Sequence, residues 1–225
     1  MHSKISCIVP VYNEARRVGV VLSLLIKHPL IDEVIVINDG SSDDSEAVLK
    51  KIEGIRLISY PKNQGKTLAM KLGFEAASYP LIMMIDSDLI GLSEKALTEL
   101  IEPVKNGIAD VSMSLRKNSL RIFKWFGLDF VSGERVFDRG LLGDLEVLKA
   151  LPPFGLEVFL NDLIVQKNLR IKVVDWKEVI TPRKSTKYGF FIGIFGDLKM
   201  IAEIIKVMGV SGIVRQFRKM CNLKV

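Results

Sequence analysis

Two carboxylates one residue apart, Asp86 and Asp88, follow directly on the apolar run Leu81 to Ile85. Side chains of an extended segment alternate from side to side, so these two project the same way and can face one cation. Hard oxygen ligands suit Mg²⁺ or Mn²⁺, and a site with so few protein carboxylates keeps coordination positions for phosphate oxygens and water. A metal held there would neutralise a departing diphosphate. An Asp-x-Asp pair alone is common in solvated loops. This one gains weight from the strand-like run before it and from the polar residues that end other apolar runs: Asn13 and Glu14, Asp39, and Asn63 to Lys66.

The elements that must position these residues are legible from periodicity. Ile5 to Val11, Val34 to Ile37, Ile55 to Ser59 and Leu81 to Ile85 are short, β-branched-rich runs that read as strands. Between them, Glu14 to His28 behind Asn13 as N-cap, Asp43 to Ile52 behind Ser41 and Ser42, and Gly65 to Ala77 read as helices. The alternation predicts an α/β fold with a mainly parallel, Rossmann-like twisted sheet flanked by helices, because parallel strands need crossovers and bury both faces. Ligands of such sheets bind at the carboxyl ends of the strands, where the polar residues collect. The pattern continues with a helix from Ser93 to Lys105, a strand at Ala109 to Leu115, a stretch with Phe123, Trp125 and Phe126 that reads as core, a helix from Leu156 to Lys167 and a strand at Ile171 to Val174.

At 225 residues with 48% hydrophobic side chains, one domain with a sizeable core is expected. Cys7 and Cys221 belong to no zinc-spaced cluster, which fits a reducing, cytoplasmic location, and the N-terminus reads as the lead into a strand, not as a signal peptide. The net charge of +6 allows either an anionic partner or simply a solvated basic face. The tail from Lys187 to Val225 mixes apolar runs too short to span a bilayer with basic residues. It suits either packing on its own domain or the inner membrane face, as a peripheral contact.

Competing readings fail on particular residues. Gly65-Lys66-Thr67 opens a helix as a phosphate-binding P-loop does, but the first glycine such a loop needs falls on Tyr60, and Pro61 removes a backbone N–H. No G-x-G-x-x-G follows the first strand, which speaks against a dinucleotide oxidoreductase. No nucleic-acid-binding motif is present, and an acidic cluster repels phosphates unless a metal intervenes, so no nucleic-acid partner is expected.

Ile8-Val9-Pro10-Val11-Tyr12-Asn13-Glu14, Val36-Ile37-Asn38-Asp39-Gly40-Ser41-Ser42-Asp43, Asn63-Gln64-Gly65-Lys66 and Asp86-Ser87-Asp88, in this order, resemble family 2 glycosyltransferases, strongly over the first ninety or so residues and more loosely to about residue 180. The resemblance implies a GT-A fold and a UDP- or GDP-sugar donor. Pro10, Tyr12 and Glu14 would border the nucleotide, Asp39 the base and Lys66 the ribose or phosphate, while Asp86 and Asp88 would serve ribose and metal. For each there is a plainer reading, since Pro10 and Tyr12 also shape a strand end. It also implies a division into a nucleotide-sugar-binding half over residues 1–115, an acceptor half over 116–186 and an amphipathic helical tail over 187–225.

Ser132-Gly133-Glu134-Arg135 and Phe154-Gly155-Leu156-Glu157-Val158 resemble segments of polyprenyl-phosphate sugar synthases and of glucosyl-phosphoglycerate synthases, whose acceptors are a lipid phosphate and a small phosphorylated acid. Glu157, with Asp162 second, is the candidate acid for the acceptor side. A general base is needed if a neutral hydroxyl attacks, and not if an anionic phosphate does. Arg135 would draw the acceptor phosphate through its fork of donors. Many relatives place a histidine after the last core strand; here Thr181-Pro182-Arg183-Lys184 stands instead, so Arg183 would clamp the diphosphate and metal affinity would be weaker. The expected activity is transfer of a sugar to a phosphate or hydroxyl acceptor with Mg²⁺ or Mn²⁺. A non-catalytic nucleotide-sugar-binding protein is the alternative, and a P-loop NTPase a more distant one.

Overall fold

The runs of β-branched residues are buried on both faces only if helices cover them from both sides, and the chain does so. A computed structural model describes residues 3–152, 155–182, 209 and 211–225. Strands β1 (Ile5–Val11), β2 (Glu33–Asp39), β3 (Arg56–Tyr60), β4 (Leu81–Met84), β5 (Val111–Arg116), β6 (Arg135–Asp138) and β7 (Ile171–Trp176) form one sheet in the order β3-β2-β1-β4-β6-β5-β7. β1 pairs in parallel with β2 and β4, β2 with β3, and β5 with β7. Only β6 runs against its neighbours, between β4 and β5. The reversal of strand order on either side of β1 opens the crevice where open α/β sheets bind ligands.

Period-two alternation divides β1 between two cores. Ile5, Cys7, Val9 and Val11 face the first core with helices α1 (Val18–Lys27), α2 (Ser45–Leu49) and α4 (Glu94–Lys105), while Ile8 faces the second with α3 (Lys66–Ala76). The second core continues under α5 (Arg121–Phe126), α6 (Gly155–Gln166) and a helix over residues 211–222. α3 lies so close to β1 that a Cβ on Gly73 would sit 2.3 Å from Ile8 Cγ2. In a helix interior, Gly→Ala ordinarily stabilises by about 1 kcal/mol. Here the clash with a fully buried side chain reverses the sign, since overpacking a core costs about 1–3 kcal/mol. Gly73→Ala is therefore expected to lower the urea midpoint, and a raised midpoint would mean that α3 can move away from the sheet freely.

The caps differ from the sequence expectation. Asn13 sits at φ 55° outside α1, and its side-chain oxygen accepts the Ser42 N–H at 2.8 Å. Ser41 Oγ accepts the Asn13 N–H at 3.0 Å. These polar residues fasten the β1–α1 loop to the β2–α2 loop instead of capping their own helices. His28, at the end of α1, is buried against Thr98, and burial lowers its pKa, so it is no cationic helix terminus. β6 and α5 come from a stretch without clear periodicity. There Phe123 is core as expected, but Trp125 and Phe126 are exposed. Of the tail, residues 187–208 and 210 lie outside the described residues. Residues 211–225 pack on the domain: Met220 is buried, and Leu223 and Val225 exchange backbone hydrogen bonds with Ile171 on β7. No helix among the described residues is long and apolar enough to cross a membrane.

Candidate active site

The site begins with a carboxylate that organises a loop. Asp39, at the carboxyl end of β2, accepts the N–H groups of Gln64 at 2.7 Å and Gly65 at 2.9 Å, and the Asn63 side-chain amide at 2.9 Å. The β3–α3 loop is thereby held against β2, and α3 starts with Lys66 aimed across the crevice. The same bonds answer the P-loop comparison, because two amides that would cradle a phosphate are given to a carboxylate.

Lys66 Nζ lies 2.8 Å from Asp86 Oδ1 and 3.2 Å from Glu157 Oε1, joining the ends of β4, α3 and α6. From the far side Arg116, the last residue of β5, reaches Asp86 at 3.9 Å, Glu134 at 3.0 Å and Asp129 at 3.6 Å, and donates to Thr181 Oγ1 at 2.7 Å. Glu134 is fully buried and also accepts from Ser114 at 2.7 Å and Ser132 at 2.9 Å. Gly133 closes the floor: a Cβ there would sit 2.7 Å from Lys66 Nζ and 3.0 Å from both Asp86 oxygens. A cleft of about 270 Å³ adjoins the cluster, with Gln64 to Thr67 and Glu157 on its polar side and Leu151 and Leu156 on its apolar side.

Burial would drive these groups toward neutrality, and their partners decide which of them yield. Burial favours a neutral Lys66, yet Asp86 and Glu157 hold its ammonium above the ordinary lysine value. Burial raises Asp86, but Lys66 and Arg116 outweigh it and hold the carboxylate low. Glu134 goes the other way: burial, reinforced by the Asp86 charge, raises it despite Arg116. Of the two carboxyls, Asp86 is therefore the one whose charge its neighbours favour. A carboxyl that keeps its proton longer in the folded chain makes stability fall as pH climbs from the ordinary glutamate value of 4.5 through the raised one. Glu134→Gln is expected to flatten that decline. Urea midpoints of both proteins across this window check it, and equal slopes would refute the assignment.

Of the residues read from the sequence, the structure brings together Lys66, Asp86 and Glu157. Asp88 follows two residues after Asp86, partly buried and close enough to Arg116 to raise its pKa. Pro10 is the next-to-last residue of β1, with Tyr12 exposed just beyond the strand and Glu14 buried, its carboxylate 3.3 Å from Arg17. Arg183 lies outside the described residues. As for metal ligands, no group of three or more His, Cys, Asp or Glu able to hold an ion occurs among the described residues. Asp86 and Asp88 nonetheless fit a divalent cation that takes its other ligands from phosphate and water, and the missing side chain of Gly133 leaves the approach to Asp86 open.

Two expectations are corrected. Arg135 is fully buried with its donors engaged by the protein: its guanidinium donates to Ser132 O at 2.9 Å, Phe130 O at 2.9 Å and Asn161 Oδ1 at 2.7 Å. Burial pulls its pKa down to about 10. Asp162 turns to the 211–222 helix, where it accepts from Gln216 at 2.8 Å. Arg135→Ala strands Ser132 O and the Asn161 side-chain oxygen, while Phe130 O keeps the Asn161 amide at 2.8 Å, at a cost on the order of 3 kcal/mol or more. We expect a large drop in unfolding free energy; an unchanged midpoint with impaired turnover would restore a direct role. Arg116 has no part in the sequence-based expectation and Glu134 enters it only within Ser132 to Arg135, although Arg116 ends a parallel strand much as Asp86 follows one.

A twisted, mainly parallel sheet with an acidic, lysine- and arginine-bridged centre at its carboxyl edge places the chain among the open α/β proteins whose ligand crevice lies at that edge. Within that class the glycosyl transferase family 2 model matches residues 6–146, and the chain belongs to that family. Among similar proteins, the dodecaprenyl-phosphate galacturonate synthase of Rhizobium johnstonii is 28% identical over 124 residues, 51% of this chain and 36% of that one. The undecaprenyl-phosphate 4-deoxy-4-formamido-L-arabinose transferase of Aeromonas hydrophila is 32% identical over 131 residues, 54% of this chain and 39% of that one. The chain thus aligns to well under half the length of these relatives. Among solved structures, glucosyl-3-phosphoglycerate synthase from Mycobacterium tuberculosis in complex with Mn²⁺, UDP and glucosyl-3-phosphoglycerate superposes with a TM-score of 0.69 at 23% identity, over 91% of this chain and 79% of that one. The same enzyme with Mg²⁺ and UDP gives 0.69 at 24% identity. At this identity the likeness shows the fold, which is that of the GT-A glycosyltransferases.

Proposed function

We propose that the protein transfers a sugar from a UDP- or GDP-linked donor to a phosphate or hydroxyl acceptor. The observation that carries the reading is the convergence of Asp86, Lys66, Glu157 and Arg116 over Gly133, in a chain of this family. Asp39 and the loop it orders would border the base, with Pro10, Tyr12 and Glu14 along the β1 side. Asp88, with Asp86, would hold Mg²⁺ or Mn²⁺, the ions present in the solved neighbours' complexes with UDP. A bound cation would supply charge neutralisation to the leaving diphosphate.

This chain's residues account for the rest by positioning and charge. Lys66 is tethered between two carboxylates and can follow phosphate charge without leaving the site. Arg116 takes the part first given to Arg135: it lies at the centre, and its Nε is buried without a hydrogen-bond partner among the described residues. Glu157 would accept a proton from a hydroxyl acceptor, or orient the sugar if the acceptor is already an anion. The names of the relatives favour a phosphate acceptor, on a polyprenyl chain or on a phosphoglycerate.

Donor binding is tested by thermal stability with UDP, GDP and their sugars, with and without Mn²⁺ or Mg²⁺. A ligand at about 100 times its Kd adds about 2.7 kcal/mol to the native state. The metal-dependent part of this gain should vanish in Asp88→Ala. If it survives there, the metal assignment is wrong; if neither nucleotide stabilises the wild type, the donor assignment is wrong.

A further inference from the structure

We propose that the outer face of α5 is a docking surface for an anionic lipid bilayer. Ile122, Trp125 and Phe126 stand at i, i+3 and i+4 and so share one helix face. They are exposed to 55%, 83% and 43%, and Leu120 at the helix start to 43%. An exposed tryptophan beside three other large apolar side chains is unusual on a surface whose other ring, Phe123, is buried beneath the same helix.

The charge around this face selects the occupant. Lys117, Arg121 and Lys124 are all exposed, and no carboxylate occurs between Arg116 and Asp129. Lys224 donates to Phe126 O at 2.7 Å, adding a cation at the end of the helix. The 211–222 helix packs on α5 through Phe217, whose ring centroid lies 5.1 Å from that of Phe126, and Arg218 and Lys219 beside it are exposed. Apolar side chains ringed by cations match the headgroup boundary of an anionic leaflet, where aromatic residues enter the interface and each basic residue is attracted to the surface. The surface is anchored from below by Phe123, Phe130 and Phe217, whose rings pack within 5.2 to 6.3 Å of one another, so little ordering is needed on contact. It also abuts the site, because α5 is framed by Arg116 and Asp129, which are paired with each other. A ligand entering from the bilayer would therefore arrive beside Arg116.

The proposal is tested with the full chain and vesicles of phosphatidylcholine, with or without phosphatidylglycerol, in the absence of donor and acceptor, so the outcome is independent of the transferase reading. Co-sedimentation is expected only with phosphatidylglycerol. It should be accompanied by a blue shift of tryptophan emission that disappears in Trp125→Phe, since Trp176 is already buried. Ile122→Glu with Trp125→Glu should weaken binding by about tenfold or more, and so should Arg121→Gln with Lys124→Gln. Both double variants should retain the circular dichroism of the parent. Vesicle binding that both variants retain, equal binding to neutral vesicles, or no binding at all would overturn the proposal. So would a Trp125 that acrylamide cannot quench in the free protein, which would mean that another part of the chain or a second copy covers it.

Discussion

A carboxylate taken partly out of water must be given a cation or a proton, and at Asp86 the protein gives it cations. Lys66 approaches from α3 and Arg116 from β5, so two elements on opposite sides of β4 are bound to one charge. Removing either partner would leave the rest of the cluster under-compensated. Glu134 completes the arrangement by holding Arg116 at 3.0 Å, its own pKa raised by burial and by the Asp86 charge beside it. Gly133 passes beneath this cluster so closely that a Cβ there would meet both Lys66 and Asp86.

The sheet explains why these groups meet at all. β1 and β4 run in parallel and end side by side, so whatever follows them is brought to one edge. β6 is inserted antiparallel between β4 and β5, and it therefore enters the sheet at that same edge. The Ser132 to Arg135 segment thus comes in beneath the residues that leave it. A fully parallel sheet would have brought that segment in at the opposite end, far from Asp86. The one reversed strand is what supplies the floor of the site.

Legibility in the sequence followed the strength of the local signal. The four β-branched runs of the first half and their helices were readable because burial on both faces enforces an apolar, periodic pattern. The centre of the site was readable where a polar residue follows a strand closely, as Asp86 does, or opens the next helix, as Lys66 does. β6 was not, since four residues including an arginine carry no alternation, and its place depends on pairing with β4 and β5. Arg135 misled for a related reason. Its acceptor role came from the resemblance of Ser132 to Arg135 to a family segment, whereas its partners here are carbonyls from Ser132 and Phe130 and the amide of Asn161, all supplied by tertiary structure. Asn13 and the serines at 41 and 42 have cap chemistry, yet they spend it on each other's loops, which no single-helix rule foresees.

The pairing of residues 223–225 with the start of β7 has a consequence for how the protein behaves in concentrated solution. β7 is the last strand of the sheet, and an uncovered last strand offers unpaired amides and carbonyls to any neighbour that can extend it. Residues 223–225 occupy part of that row, through Ile171 N–H to Leu223 O at 2.8 Å and Val225 N–H to Ile171 O at 2.9 Å. They therefore cover backbone that strand-to-strand self-association would otherwise use.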